Sequence, residues 1–67
     1  MKKNLEFSDA KSNKFWEIEL KGKKINISYG RIGIENPATQ SKLFASADLA
    51  KKYYEKKLKE KINKGYQ

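Results

Sequence analysis

The sequence predicts an α+β domain: a small antiparallel sheet of three or four strands, with one C-terminal helix packed across one face. Three observations predict it. Residues 15–20 and 24–29 alternate apolar and polar side chains, the pattern of half-buried strands. Lys21-Gly22-Lys23 lies between them and offers a glycine for a tight turn. From residue 46 onward the apolar spacing changes to that of a helix.

Taken in order, Asn4-Leu5-Glu6-Phe7-Ser8 alternates and predicts a short edge strand. Residues 9–13, Asp-Ala-Lys-Ser-Asn, read as a loop. In the next run Trp16, Ile18 and Leu20 share one face, and after the turn Ile25, Ile27 and Tyr29 do the same. The two runs make a hairpin with one apolar face. Gly30 and Gly33 bracket Arg31-Ile32. A glycine inside a strand pattern marks a bulge, or close approach by a ligand or another part of the chain. Glu35-Asn36-Pro37-Ala38 reads as a loop, and Gln40 to Phe44 as a return strand. Ser46 is placed to cap a helix, and Asp48 suits its positive end. Ala47, Ala50, Tyr54 and Leu58 then form one stripe, which Gly65 ends. A helix of about 18 residues spans about 27 Å. It should lie over the sheet, since neither element can bury its stripe alone. Trp16 is expected in the core as the anchor between hairpin and helix. Lys61 falls inside the helical stripe, so its stem should run along the core with its head on the last-turn carbonyls.

Sixty-seven residues make a single domain over 1–67, and a chain of this size buries only about 60% of its unfolded surface. There is no cysteine and no histidine. That removes disulfides, thiolate chemistry, the usual general base and the commonest metal ligand. No metal and no cofactor are expected. Glu17 and Glu19 stand at strand spacing and read as solvent-facing rather than as a catalytic pair. No apolar run approaches 18 residues, so no membrane helix is expected. Met1-Lys2-Lys3 resembles the start of a signal peptide, but Asn4, Glu6, Ser8 and Asp9 interrupt any apolar segment. The expected compartment is the cytoplasm.

The formal net charge is +8, from 16 basic and 8 acidic residues. A field of that sign attracts polyanions. A lysine-rich codon bias would supply part of the charge by itself. All the basic residues are lysine except Arg31, which stands in Ser28-Tyr29-Gly30-Arg31-Ile32-Gly33. Lysine is a flexible point charge, whereas arginine is a planar fork that grips phosphate in two places and stacks on rings. Two roles are open for this segment. In one, Tyr29 stacks on a ligand and Arg31 binds an anion. In the other, Tyr29 joins the core and Arg31 covers the sheet edge. The alternation places Tyr29 with Ile25 and Ile27, while a bulge at Gly30 would turn its ring outward. The spacing Gly30-x-x-Gly33 lacks the lysine of a phosphate-binding loop.

Asn13-Lys14-Phe15-Trp16 is followed by a strand and turn, and then by Tyr29-Gly30-Arg31-Ile32-Gly33. A strand ending in Phe44 comes next, then an alanine-aromatic helix closing on Lys61 and Gly65-Tyr66. This order, over about Ser12 to Tyr66, resembles the WGR domain family, named for a Trp-Gly-Arg motif. The family occurs in DNA-damage-activated poly(ADP-ribose) polymerases and in bacterial proteins resembling the molybdate metabolism regulator. The chain departs from the motif in having Tyr29 where the family name has tryptophan, which leaves a smaller flat face.

The resemblance implies a non-enzymatic module that binds DNA ends, nicks or phosphate backbone. Carried over, Tyr29 is the stacking surface, Gly30 lets the chain approach closely, and Arg31 is the anion fork. Asn13 and Lys14 become phosphate contacts, and Lys42 adds another. Polymerase activity is not implied, because the chain has no catalytic domain. The alternative is an interaction adaptor that docks on an acidic protein partner through the same basic surface. No membrane partner is expected.

Overall fold

In a computed structural model describing residues 1–67, the chain forms four strands and one helix. The strands are β1 (Lys2–Ser8), β2 (Asn13–Lys21), β3 (Lys24–Arg31) and β4 (Ala38–Leu43). The helix is α1 (Ala47–Asn63). The strands pair in sequence order, β1-β2-β3-β4, each antiparallel to the next. This is the α+β meander with a C-terminal helix that the sequence predicts. No helix is long and apolar enough to cross a membrane.

Local chemistry sets each boundary. Strand β1 starts at Lys2, two residues earlier than expected, because β2 is long enough to pair Lys2 with Glu19 and Lys3 with Ile18. The following loop is fixed by Asp9, whose carboxylate accepts the backbone N–H of Lys11 at 2.8 Å and of Ser12 at 2.7 Å. Those two bonds, that to Lys11 first, hold the Asp9 carboxyl below its ordinary pKa. The β2–β3 turn has Gly22 at φ 58° and no positive φ at Lys23, the arrangement of a II′ hairpin. Strand β4 runs from Ala38 to Leu43 rather than from Gln40 to Phe44. Pro37 lacks an N–H for the ladder, so pairing begins just after it.

The bulge expected at Gly30 is absent. Phe15 pairs with Gly30 and Lys14 with Arg31 in unbroken register, so β3 continues through Arg31. Glycine suits the position for the other reason, close approach by another part of the chain. A Cβ at position 30 would meet the Ile34 side chain at 3.2 Å and Pro37 at 3.8 Å, because residues 32–37 fold back over it.

Residues paired directly across strands share a face, so the register sorts the side chains. The helix-covered face carries Leu5, Trp16, Ile18, Ile25 and Ile27, which meet Ala50 and Tyr54 of α1. These seven are the buried residues, and their polar side-chain atoms are limited to the Tyr54 hydroxyl and the Trp16 indole N–H. Leu20, Phe44, Tyr53, Leu58 and Tyr66 pack around them. Ala47 stays exposed in the first helical turn, so the buried stripe begins at Ala50. The opposite face is open to solvent and polar. Glu17 and Glu19 lie on it, held by Lys2 at 3.5 Å and Lys21 at 3.9 Å.

Both helix ends are closed by local bonds. The Ser46 hydroxyl accepts the Leu49 N–H at 3.2 Å. At the other end Gly65 takes φ 103°. Its N–H bonds the Ile62 carbonyl at 3.0 Å, and that of Tyr66 bonds Lys61 at 3.1 Å, which is a Schellman closure. Tyr66 then packs its ring 5.6 Å from Phe7 on β1.

A Cβ at Gly65 would meet the Phe7 ring at 3.1 Å in a conformation that only glycine tolerates well. Gly65→Ala is therefore expected to cost about 1–3 kcal/mol. Ser46→Ala should cost about 1 kcal/mol. Urea unfolding checks both, and a neutral Gly65→Ala would remove the closure from the stabilising contacts.

Candidate nucleic-acid interface

The two residues at the Arg31 end of the β2–β3 ladder come from different parts of the sequence and are direct partners. Lys14 faces Arg31, and the next same-face pair is Trp16 with Tyr29. Same-face pairs are about 6.6 Å apart along a strand. All four side chains therefore lie on the helix side of the sheet, at the end where the core gives way to solvent. Tyr29 is 42% exposed although it shares a face with the buried Ile25 and Ile27. Its neighbour on β4 is only Ala38, so one flank of the ring is left open. The ring is thus available without the bulge that sequence reasoning invoked.

Here α1 and the sheet leave a groove of about 420 Å³. Its walls include four cations, Lys14, Arg31, Lys57 and Lys61, and no acidic side chain. Tyr29 stands at one side and Tyr53 on the helix at the other. Arg31 forms no ion pair and no side-chain hydrogen bond within the chain, so its whole fork is free. Lys14 has no carboxylate partner either, and its ammonium rests 5.3 Å from the Phe7 ring centre.

Lys61 is the most constrained of these groups. Its ammonium lies 5.8 Å from the Trp16 ring centre and 5.3 Å from that of Tyr66. The stem follows the core as expected, but the head is not on the last-turn carbonyls. Backbone N–H groups of Lys64, Gly65 and Tyr66 already occupy those carbonyls, so the head turns into the groove. Burial is the main cause that holds its pKa below the ordinary lysine value. The charges of Lys64, Lys57 and Lys14 act the same way, while Glu60 opposes them.

The remaining candidates fall elsewhere. Asn13 lies on the opposite face from Lys14, and its side-chain oxygen accepts the Ser8 hydroxyl at 2.6 Å. It borders a second depression beside the β1–β2 loop, which Arg31 also lines. Lys42 pairs with Ile25, six residues from Arg31 along β3, or about 20 Å. Its ammonium sits 4.9 Å over the Tyr53 ring. The structure thus groups Tyr29, Gly30, Arg31 and Lys14, and separates Asn13 and Lys42 from them. Tyr53, Lys57 and Lys61 are groove residues that sequence reasoning did not assign. Their i, i+4, i+8 spacing was the available signal, since it puts all three on one helical line.

The WGR domain family model matches residues 1–67. The chain is 37% identical over 67 residues to Escherichia coli (strain K12) "Uncharacterized protein YfeS", covering 100% of this chain and 27% of that protein. It is 38% identical over 60 residues to "Protein YehF" of the same strain, covering 90% of this chain and 22% of that one. The chain therefore spans about a quarter of the length of these curated relatives. A crystal structure of a Bacteroides fragilis protein superposes with a TM-score of 0.92 at 42% identity, over 98% of this chain and 18% of that one. The chain belongs to the WGR domain family.

The depressed pKa of Lys61 predicts a pH effect on stability. The unfolded chain holds that proton more tightly than the folded chain, so the charged form opposes folding near neutral pH. This penalty is relieved as pH rises toward the ordinary lysine value of 10.5. Between pH 7 and pH 10 in low salt, the protein should gain stability relative to Lys61→Met. Urea unfolding of the two proteins measures this, and a pH-independent difference would contradict it.

Proposed function

We propose that this WGR domain is a non-enzymatic module that binds DNA at ends, nicks or similarly exposed phosphates. One observation carries the reading: a concave site with four basic groups, no carboxylate and an exposed tyrosine at its edge. Only Lys57 has an acidic partner, Glu60 at 3.4 Å, so the cluster is under mutual repulsion, which a polyanion relieves. Arg31 supplies the bidentate fork, and Lys14, Lys57 and Lys61 supply point charges. Tyr29 offers a ring face for a terminal base or sugar. The groove walls are mostly cations and rings, with Gln40 the one side-chain amide, which suits recognition of shape and charge. Family membership supports this, because WGR domains in related proteins are associated with nucleic-acid binding.

The test is a salt series on a nicked, 5′-phosphorylated duplex and on the intact duplex. Four phosphate contacts give a slope of log K against log salt near about −3.6. Arg31→Ala should abolish the preference for the nick. Lys57→Ala and Lys61→Ala should each flatten the slope by about 0.9. Tyr29→Ala should weaken binding by about 1–3 kcal/mol, and Tyr29→Phe should retain it. Equal binding to both duplexes, unchanged by Arg31→Ala, would reduce the effect to general lysine attraction and refute the assignment.

A further inference from the structure

The two edges of the sheet are treated differently. On β1, the Glu6 N–H donates to the Gln67 carbonyl at 2.7 Å, and the Gln67 N–H donates back to Glu6 at 2.7 Å. That strand also carries the charges of Lys2, Lys3 and Glu6. The outer side of β1 is thus both partly paired and guarded by charge. Strand β4 has neither protection. All six of its residues are exposed. Its register with β3 is unbroken from Tyr29–Ala38 to Lys24–Leu43, so no bulge twists the edge away. Proline precedes the strand and does not interrupt it. None of the backbone hydrogen bonds outside the regular ladders involves residues 38–43. Its single charge, Lys42, is drawn inward over Tyr53.

We propose that the outer edge of β4 accepts an extended acidic segment of another protein as a fifth strand. Charge selects this occupant. Lys42 and Lys57 both lie against Tyr53 on the helix side, at 4.9 Å and 5.6 Å from its ring centre. Lys24 on β3 pairs with Leu43 and the Lys23 carbonyl accepts the Phe44 N–H, so both lysines stand beside the last residues of β4, and neither they nor Lys42 has an ion-pair partner. Every second side chain of an added strand would face the Lys42 side, which suits carboxylates. The alternate side chains would lie beside Thr39, Ser41 and the 80% exposed Leu43, which suits β-branched apolar residues. A second copy of this chain fits less well, because each copy carries a net charge of +8. The proposed strand site borders the groove at Tyr53 and Lys57, but its readout, protection of residues 38–43, is separate from DNA binding.

The probe is the capped heptapeptide Glu-Val-Glu-Val-Glu-Val-Glu, titrated into the full chain and followed by amide shifts and amide exchange. Protection is expected within residues 38–43. The same peptide with Lys in place of Glu should bind at least about tenfold more weakly. A Glu peptide with proline at its centre keeps the charge but cannot complete the ladder, so it should lose the protection. Shifts confined to the helix lysines, or equal effects from the proline peptide, would overturn the proposal in favour of simple charge attraction. Sedimentation showing a dimer that protects residues 38–43 without peptide would overturn it in favour of self-pairing. No binding at millimolar peptide would overturn it outright.

Discussion

One helix must cover a sheet that is wider than itself. A helix with its side chains is about 10–12 Å across. Four strands at about 4.8 Å spacing make a sheet approaching 20 Å. Helix α1 settles over β2 and β3, where Ala50 is small enough to let the backbones approach and Ile18 fills the contact. Everything else follows from that mismatch. The core is limited to seven residues, none from β4. Where α1 leaves the Arg31 end of β2 and β3 uncovered, the gap becomes the groove. Strand β4 remains exposed along its whole length.

The same mismatch decides how the basic residues are held. A lysine on an ordinary solvated surface loses its conformation and contributes little. Lys14, Lys57 and Lys61 instead rest against aromatic rings at the margin of the core. The rings stabilise the cations and leave the donors of Lys14 and Lys61 unused, while Lys57 also reaches Glu60 at 3.4 Å. Aromatic packing and anion attraction are therefore served by one set of contacts. Tyr53 is held between Phe44 and two ammonium groups, so it joins the core to the charged rim.

The strands and helix were legible because alternation and helical spacing are local properties. Trp16, Ile18, Ile25 and Ile27 could be assigned to one face from period alone, and the register confirms it. Ser46 and Gly65 were legible as helix ends because capping is chemistry between near neighbours. The path of the loop over Gly30 was not legible. It depends on Ile34 and Pro37 folding back onto the strand, and no short pattern encodes that contact. The placement of the candidate site residues was only partly legible for the same reason. Adjacent Asn13 and Lys14 necessarily occupy opposite faces of a strand, which alternation states plainly once the strand is known to begin at Asn13. Lys42 was grouped with Arg31 by charge, whereas register places it about 20 Å away.

The bonds between Glu6 and Gln67, with Phe7 against Tyr66, join the beginning of the domain to its end. Strand β1 can pair with β2 as soon as that hairpin forms, but its outer side gains these partners only when residues 66 and 67 close onto it. The contact spans nearly the whole domain in sequence, so the outer edge of β1 is the last part of the sheet to be sealed.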